Sequence, residues 1–191
     1  GATLNGTENT HFGYIFGAGS NLANSQYLPP SLKTVTITEG ISFIGAGNFY
    51  GIESVEEVHI PASVTSIFRG AFTNATFRYE LKSPITVNTK LDKYGDLVVT
   101  ESIGQGDIGK GIVGTLQLSS YVTAIQFRAF EGCENLTAII LPDSVTSIGY
   151  SAFSGCKSLV SVNIPANVSK IPGVFAGCTS LVEVNVDPAS T

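Results

Sequence analysis

The stretch that decides the fold is residues 142–165, with the sequence PDSVTSIGYSAFSGCKSLVSVNIP. Nearly the same string occurs before it and again after it, so the chain repeats itself with a period of about 23 residues, which is typical of a solenoid. Shifting the chain by one period lays Val145 on Val122, Ile148 on Ile125, Phe153 on Phe130, Cys156 on Cys133, Leu159 on Leu136 and Val162 on Ile139. In a solenoid, each coil buries its apolar side against its neighbours. The sequence therefore predicts a repeat solenoid, and its length would hold about eight turns.

Each repeat contains one short apolar segment of the form L-x-x-V-x-I, such as Leu159, Val162 and Ile164. The last two apolar residues are two positions apart, which is the pattern of a short strand with alternate side chains pointing inward. A proline closes several of these segments, where it ends the pairing and turns the chain. The repeat therefore predicts a mostly β structure with short turns.

The domain organisation follows from where the pattern holds. Residues 1–30 do not fit it and are predicted to form an N-terminal cap, because terminal repeats of a solenoid are atypical. Their aromatic and apolar side chains are expected to close the core, although a ligand-stacking patch is the alternative; they are Phe12, Tyr14, Ile15 and Phe16. Residues 31–191 form the predicted solenoid. It stops without an evident C-terminal cap, so that either another module follows in the parent protein or the last coil is exposed. An uncovered apolar end is prone to association.

Residues 85–114 break the pattern, because their unit is longer than the others by about half a repeat and lacks the Ala-Phe pair. Two β-prone runs, 85–91 and 97–100, flank the sequence DKYGD, which contains Lys93 and Tyr94. This arrangement predicts a β-hairpin, and the glycine-rich stretch GQGDIGKG that follows is interpreted as a flexible return. The segment is interpreted as a degenerate structural coil or as an insertion used in recognition. Because its length and hairpin signal break the repeat, we expect it to leave the solenoid wall.

Composition narrows the possible partners. The formal charge is −5 and the sequence pI is near 4.9, with no cluster of Lys or Arg, which argues against nucleic acid or an anionic membrane surface. No apolar run approaches the roughly 18 residues of a membrane span, so membrane insertion of this segment is not expected. The sequence begins at Gly1 without an apolar leader, so that a signal peptide or anchor could lie outside it.

The three cysteines, Cys133, Cys156 and Cys178, occupy one repeat position. An odd number at this spacing matches neither a disulfide framework nor a metal-binding motif. The equivalent position holds Ile52 and Ala75 in earlier coils. The cysteines are therefore predicted to be reduced, buried and without metal.

Catalytic motifs are missing from the sequence, and its two histidines, His11 and His59, fall in separate elements. We therefore expect a protein that is not an enzyme and uses no cofactor and no metal. If the repeat's apolar residues point inward, the residues between them form the outer surface of a sheet. These outward pairs are Thr34 and Thr36, Glu57 and His59, Glu80 and Lys82, Thr115 and Gln117, Ala138 and Ile140, Ser161 and Asn163, and Glu183 and Asn185.

One charged cluster stands out among these pairs. Glu57 and His59 would adjoin Glu80 and Lys82, because neighbouring strands lie about 4.8 Å apart. The cluster is interpreted as a salt-bridge ladder or as a recognition spot. The candidate ligand-binding residues are thus Glu57, His59, Glu80 and Lys82 on the sheet, with Lys93 and Tyr94 on the hairpin.

The repeated string P-x-S-V-T-S-I-G-x-x-A-F-x-G-C-x-x-L-x-x-V-x-I resembles the BspA-like, or Treponema-type, leucine-rich repeats. The resemblance is strongest over residues 121–186 and good over residues 31–72. It implies a right-handed curved solenoid with a parallel β-sheet on one face, exported to a bacterial cell surface and acting in adhesion or protein binding. Two functions follow: a secreted or cell-surface module that binds a protein or glycan, such as one of host origin, and a passive scaffold or spacer that presents another domain.

Overall fold

The computed structural model describes residues 24–91, 97–99 and 102–187. Most of the predicted cap, including the four side chains expected to close the core, lies outside them. The elements are α1 (Asn24–Tyr27), β1 (Thr34–Thr36), β2 (Phe43–Ile44), β3 (Glu57–His59), β4 (Ser66–Phe68), β5 (Arg78–Glu80), β6 (Thr86–Leu91), β7 (Leu97–Val99), β8 (Ser102–Ile103), β9 (Gly114–Gln117), β10 (Ala124–Ile125), β11 (Leu136–Ile140), β12 (Ser147–Ile148), β13 (Ser161–Ile164) and β14 (Glu183–Val186). Within the described residues, no helix is long and apolar enough to cross a membrane.

The strands form a parallel β-solenoid with two faces, as the repeat predicts. The first face contains the L-x-x-V-x-I strands, arranged as the sheets β1-β3-β5 and β9-β11-β13-β14. The second face contains the sheets β2-β4-β6-β7 and β8-β10-β12. Among the described strands, all neighbours are parallel except β6 and β7, which pair antiparallel. The core lies between the two faces.

The core is built from side chains that repeat from coil to coil. Alternation along a strand sends every second side chain inward, and β3 illustrates it, because Val58 is buried between exposed Glu57 and His59. The turn after the second-face strand adds a second layer of side chains to the core. This layer consists of the small residue and the phenylalanine of the Ala-Phe pair. Ala152 and Phe153 are both fully buried there.

The repeat position that holds Phe49, Phe72, Phe130, Phe153 and Phe175 predicts one buried stack of rings, but these phenylalanines form two stacks. Phe49 and Phe72 stack at a centroid distance of 5.8 Å in the N-terminal coils. Phe130 and Phe153 stack at 5.3 Å, and Phe153 and Phe175 at 5.7 Å, in the C-terminal coils. The irregular unit between these two sets of coils lacks the Ala-Phe pair, so the series of rings is interrupted there.

Truncation of Phe153 tests the importance of this stack. Phe153→Ala should lower the free energy of unfolding by about 3–5 kcal/mol, because it removes a fully buried ring between two stacked neighbours. Phe175→Ala is the matched control, and its loss should be clearly smaller since Phe175 is only partly buried. Denaturant melts of both variants measure the difference. Equal losses would contradict the assignment of Phe153 to the centre of the stack.

The irregular segment, residues 85–114, contains the predicted hairpin, formed by β6 and β7. The prediction that it leaves the solenoid wall is wrong. Strand β6 continues the second face by pairing parallel to β4, and β8 starts the next sheet by pairing parallel to β10. The physical reason is the apolar content of the segment, because five of its side chains are buried in the core: Ile85, Val87, Ile103, Ile108 and Ile112.

The glycine-rich stretch after the hairpin is a packed turn and was wrongly interpreted as a flexible return. The amide of Gly104 donates to the Asp107 carboxylate at 2.8 Å, as the amide of Gly45 donates to the Asn48 side chain at 2.6 Å in an earlier coil. The backbone amide of Asp107 closes the turn onto the Gly104 carbonyl at 3.2 Å. The stretch therefore repeats a turn that a regular coil uses.

Two parallel bridges join the N-terminal and C-terminal coils, Tyr79 to Ile112 and Ile85 to Leu118. The strand near Leu81 and the strand at 116–118 therefore lie side by side, although isolated bridges and not a regular ladder join them. Val58 and Ile139 hold the same repeat position. Val58 pairs with Tyr79, which is bridged to Ile112, whereas Ile139 pairs with Leu116. The register at the junction is therefore offset from that of the C-terminal coils by four residues (116 − 112 = 4).

The junction depends on a close approach of two backbones at Gly111. A Cβ atom at this position would lie 1.8 Å from the carbonyl oxygen of Phe77. The approach allows the Tyr79 amide to donate to the Gly111 carbonyl at 3.0 Å, and the Val113 amide to donate to the Tyr79 carbonyl at 2.8 Å. Only glycine can occupy this position without displacing the neighbouring backbone.

Gly111→Ala should therefore destabilise the protein by about 2–3 kcal/mol or more, because the new methyl group cannot be accommodated by moving a side chain. Gly106→Ala is the control. Gly106 has a φ of +80° and open space around its Cβ position, so its substitution should cost only the backbone strain of about 1–2 kcal/mol. Thermal or denaturant melts of the two variants provide the comparison. A Gly111→Ala variant as stable as Gly106→Ala would show that the junction is not tightly packed.

The cysteines line the core at equivalent positions and are free thiols. Cys133 and Cys156 are buried as predicted, whereas Cys178 in the last coil is only partly buried. The Cys156 thiol donates to the Phe130 carbonyl at 3.2 Å, and the Cys178 thiol donates to the Phe153 carbonyl at 3.0 Å. Burial raises the pKa of Cys133 to about 12 and also raises the pKa of Cys156 and Cys178. These thiols are therefore poor nucleophiles at neutral pH.

Candidate functional site

The outer surface of the first face is the candidate site, and its N-terminal half carries charged side chains. Residues Glu57 and His59 of β3 and Arg78 and Glu80 of β5 are exposed there. Pairing places Glu57 beside Arg78 and His59 beside Glu80. We call these four residues the charged patch.

The register of the charged patch differs from the predicted one. The sequence analysis placed Glu80 beside Glu57 and Lys82 beside His59 by applying the regular repeat period. In the structure Glu57 pairs with Arg78, so β5 comes two residues earlier than that period requires. Glu80 consequently lies next to His59, and Lys82 lies beyond the end of β5.

Arg78 is the residue that the sequence analysis missed, since it stands where the repeat has leucine. The signal was present in the sequence FRYEL, residues 77–81, in which aromatic and apolar residues alternate with charged ones. Phe77 and Tyr79 are buried and Arg78 is exposed, as the strand period requires. Local alternation therefore predicts this strand better than the repeat spacing does.

The geometry of the charged patch leaves its groups accessible. The His59 Nε2 atom lies 4.0 Å from Glu57 Oε2, a long contact with both side chains more than half exposed. The Glu80 carboxylate lies over the start of β9. Its Oε1 atom is 3.5 Å from the position that a Cβ atom on Gly114 would occupy. Exposed pairs of this kind contribute little to stability, so these groups remain available to a partner.

The remaining predicted site residues are not part of the charged patch. Lys82 is exposed. It lies between Tyr79 and Ile85 in the chain, and the register of the bridges that these two residues form places Lys82 level with Thr115 of β9. Lys93 and Tyr94, the predicted hairpin contacts, lie outside the described residues. The structure therefore brings together Glu57, His59 and Glu80, adds Arg78, and places Lys82 towards the C-terminal half.

The C-terminal half of the first face has a different chemistry. Most of its outward residues are small or uncharged, including Thr115 and Asn163, and the Asn185 amide donates to the Asn163 side-chain oxygen at 3.1 Å. Ile140 is the exception, because it is 49 % exposed at a position that is polar in the neighbouring strands β9 and β13. An apolar side chain surrounded by polar ones is the usual arrangement at the centre of a protein interface.

Ion pairs line the edge of this face where the chain enters the strands. Lys33 Nζ lies 3.1 Å from Glu56 Oε1, and Lys157 Nζ lies 2.8 Å from Glu134 Oε1. Each pair joins equivalent turns of consecutive coils, and all four side chains are more than half exposed. Such pairs contribute at most about 1 kcal/mol each, so they support the coil spacing without creating a catalytic group.

A buried charged group lies on the second face and belongs to Asp107. Its side chain is 3 % exposed, and its Oδ2 atom lies 3.0 Å from the Arg69 guanidinium. The Arg69 guanidinium also donates to the Ser102 carbonyl at 3.4 Å. The pair joins the turn after β4 to the turn after β8, so that it connects the two sets of coils. Burial raises the pKa of Asp107 above its ordinary value, against the opposing effects of the Gly104 amide and Arg69.

Asp107→Asn should have a pH-dependent effect on stability. A carboxyl whose pKa is raised by folding binds its proton more tightly in the folded state, so its stabilising contribution is present below the ordinary value of 3.8 and is lost as pH rises through the raised pKa. The stability of the Asp107→Asn variant relative to the parent should therefore increase as pH rises above 3.8. Asn48 shows that an amide can accept the same turn hydrogen bond.

Denaturant melts at several pH values measure this difference. Asp107→Ala is the control, and it should be less stable than Asp107→Asn by about 1–3 kcal/mol, because it leaves the Gly104 amide without its acceptor. A parent protein that gains stability over Asp107→Asn as pH rises would show instead that the Arg69 ion pair dominates.

Among the described residues, no group of three or more His, Cys, Asp or Glu side chains is arranged to hold a metal ion. The charged patch contains a histidine beside two glutamates, but it lies on the exposed surface of a sheet. Its arrangement is suited to contacts with another molecule's surface.

Most of the chain matches a known family of repeats. The model of the BspA-type leucine-rich repeat region matches residues 22–95 and 110–191 in six copies. The chain belongs to this family. The six copies are fewer than the eight turns expected from length, and residues 1–21 and part of the irregular segment lie outside the matched ranges. The gap between the two matched ranges falls on that segment.

Several solved leucine-rich repeat proteins are similar to this chain. The T. pallidum leucine-rich repeat protein is 23 % identical over 83 % of this chain and 71 % of its own, with a TM-score of 0.37. A leucine-rich cell surface protein from Faecalibacterium prausnitzii is 21 % identical over 81 % of this chain, with a TM-score of 0.34. A leucine-rich repeat protein from Bacteroides ovatus is 22 % identical over 85 %, with a TM-score of 0.36. This chain spans 60 % of the length of each of the last two. No curated protein matches it in sequence.

Proposed function

We propose that this chain is a non-enzymatic interaction module of a bacterial surface or secreted protein, and that it binds a protein through the outer surface of the first face. Membership of the BspA-type family supports the interaction role. It also supports the location, since resemblance to these repeats implies export to a bacterial cell surface.

The observation that carries this proposal is the contrast between the two sides of the first-face strands. The inward positions of β3, β5, β11 and β13 are uniformly apolar and buried, as stacking requires. The outward positions vary in charge and size from coil to coil, from Glu57 and His59 to Ile140 and Asn163. A surface that the fold does not constrain is where a repeat protein can vary its recognition.

Within this surface, we assign recognition to the charged patch and Ile140 together. The charged patch supplies exposed groups that can select a partner by charge, which contributes to specificity and association rate. Ile140 supplies an apolar contact that can be desolvated on binding. The partner is therefore a protein surface with charged and apolar groups, and a glycan is the alternative ligand.

The experiment is a binding screen of the purified chain against immobilised extracellular-matrix proteins and a glycan array, followed by variants tested on each ligand found. Glu80→Lys and Ile140→Ser should each weaken binding by about tenfold or more, because they alter exposed groups at the centre of the proposed interface. Glu39→Lys is the matched control: it replaces another exposed glutamate, in the turn between β1 and β2, and it should leave affinity unchanged.

The outcomes separate the possible interfaces. If a ligand is retained by Glu80→Lys and Ile140→Ser but lost when the β6–β7 hairpin is shortened to a regular coil, binding belongs to the hairpin, which contains Lys93 and Tyr94. If no protein or glycan binds, the passive spacer becomes the better account of the chain.

A further inference from the structure

Two aromatic side chains are exposed in the turns that follow β10 and β12. Phe127 is 51 % exposed and Tyr150 is 58 % exposed. They hold the same position in consecutive coils, and their rings stack at a centroid distance of 6.4 Å with an angle of 14° between them. The core does not require an aromatic residue here, because the corresponding residues of other coils are Ala46, Arg69 and Gln105. We call Phe127 and Tyr150 the aromatic pair.

The residue after each of these rings has an unfavourable backbone conformation. Arg128 and Ser151 have φ angles of +55° and +56°, in the left-handed region that disfavours a residue with a Cβ atom. Other coils have glycine at this position, also with a positive φ; they are Gly47, Gly70 and Gly106. The departure from glycine in two consecutive coils therefore coincides with the aromatic pair. Backbone strain of this kind clusters at sites that bind ligands.

Polar side chains border the aromatic pair. The guanidinium carbon of Arg128 lies 4.8 Å from the centroid of the Phe127 ring, and Arg128 Nε lies 3.4 Å from Glu131 Oε1. Gln126 is exposed, and its side-chain amide donates to Ser102 Oγ at 2.8 Å. These contacts orient hydrogen-bond donors and acceptors beside the rings. The charges of Arg128 and Glu131 cancel, so the group as a whole is neutral.

This combination of groups suits a carbohydrate. A sugar ring has an apolar side of C–H groups that packs on an aromatic ring, and its hydroxyl groups both donate and accept hydrogen bonds. The size of the surface also fits a small ligand. An aromatic side chain presents about 150–250 Å², so the half-exposed pair offers about 200 Å², whereas a stable protein interface takes about 800 Å² from each partner. The cancelled charges favour an uncharged ligand.

We propose that the aromatic pair, together with Gln126, Arg128 and Glu131, binds a neutral glycan. Neighbouring sugar units contact Phe127 and Tyr150, because the two rings lie one coil apart. Sugar hydroxyls accept hydrogen bonds from Arg128 and Gln126 and donate to the Glu131 carboxylate. This site lies in the turns after second-face strands, apart from the charged patch and Ile140 on the first face. It therefore does not depend on the interaction proposed for the first face.

An array of neutral oligosaccharides of glucose, galactose, mannose, xylose and N-acetylglucosamine tests the proposal on the whole chain, and calorimetric titration measures the affinity of those that bind. Phe127→Ala and Tyr150→Ala should each weaken binding by about tenfold, because each removes a ring contact. Tyr150→Phe keeps the ring and should retain most of the affinity. Tyr121→Ala is the matched control: Tyr121 is 65 % exposed but lies in the turn before β10, so affinity should not change.

Arg128→Gly separates binding from stability. Glycine suits the left-handed φ, so this variant should melt no lower than the parent, yet it should bind glycan more weakly because the guanidinium is gone. Failure of every oligosaccharide to bind would overturn the proposal, as would affinity that survives both Phe127→Ala and Tyr150→Ala. Glycan binding lost on Glu80→Lys or Ile140→Ser would assign the glycan to the first face. A ligand of the aromatic pair that proves to be a protein would also overturn the proposal.

Discussion

The structure depends on one constraint, which is that every coil must lie in register on the coil before it. Parallel strand pairing fixes the distance between coils at about 4.8 Å, and this distance leaves room for one layer of side chains per coil. Phe130 and Phe153 meet with an angle of only 3° between their rings because successive coils repeat the same rotation. The absence of Met and Trp from the sequence and the alanine before Phe72, Phe130 and Phe153 are consistent with the same narrow cross-section.

The irregular unit shows how far this constraint can be relaxed. Its turn after β8 has the geometry of a turn in a regular coil, because Asp107 accepts the hydrogen bond that Asn48 accepts in the earlier coil. Ile108, the next residue, is buried in the core. The first face is not continuous across this unit, because two isolated bridges replace a regular strand pair. Further contacts stabilise the shift of four residues: the Tyr79 hydroxyl donates to the Gly109 carbonyl at 3.2 Å, and Arg69 binds Asp107. The unit therefore displaces the coils without interrupting their core.

Periodicity was sufficient to predict what repeats and insufficient to predict what does not. The family, the solenoid, the inward positions of Val58 and Val162 and the hairpin all follow from the repeat or from a local turn signal. The pairing of Glu80 with His59 did not, because β5 comes two residues earlier than the repeat period requires. The location of residues 85–114 does not follow from the length of their unit either, because their buried isoleucines keep the segment in the solenoid core. Such errors occur where tertiary contacts, and not the repeat, determine the register of neighbouring strands.

The division of the first face into two halves follows from that offset. Glu57 and Arg78 form one lateral row, whereas Thr115, Ala138 and Ser161 form another that is displaced by four residues. The Glu80 side chain reaches across the step to Gly114 at the start of β9. The charged patch and the surface around Ile140 therefore meet at a step and do not form one straight strip. A partner that contacts both halves must follow this step, so the irregular unit sets the shape of the surface even if its own hairpin makes no contact.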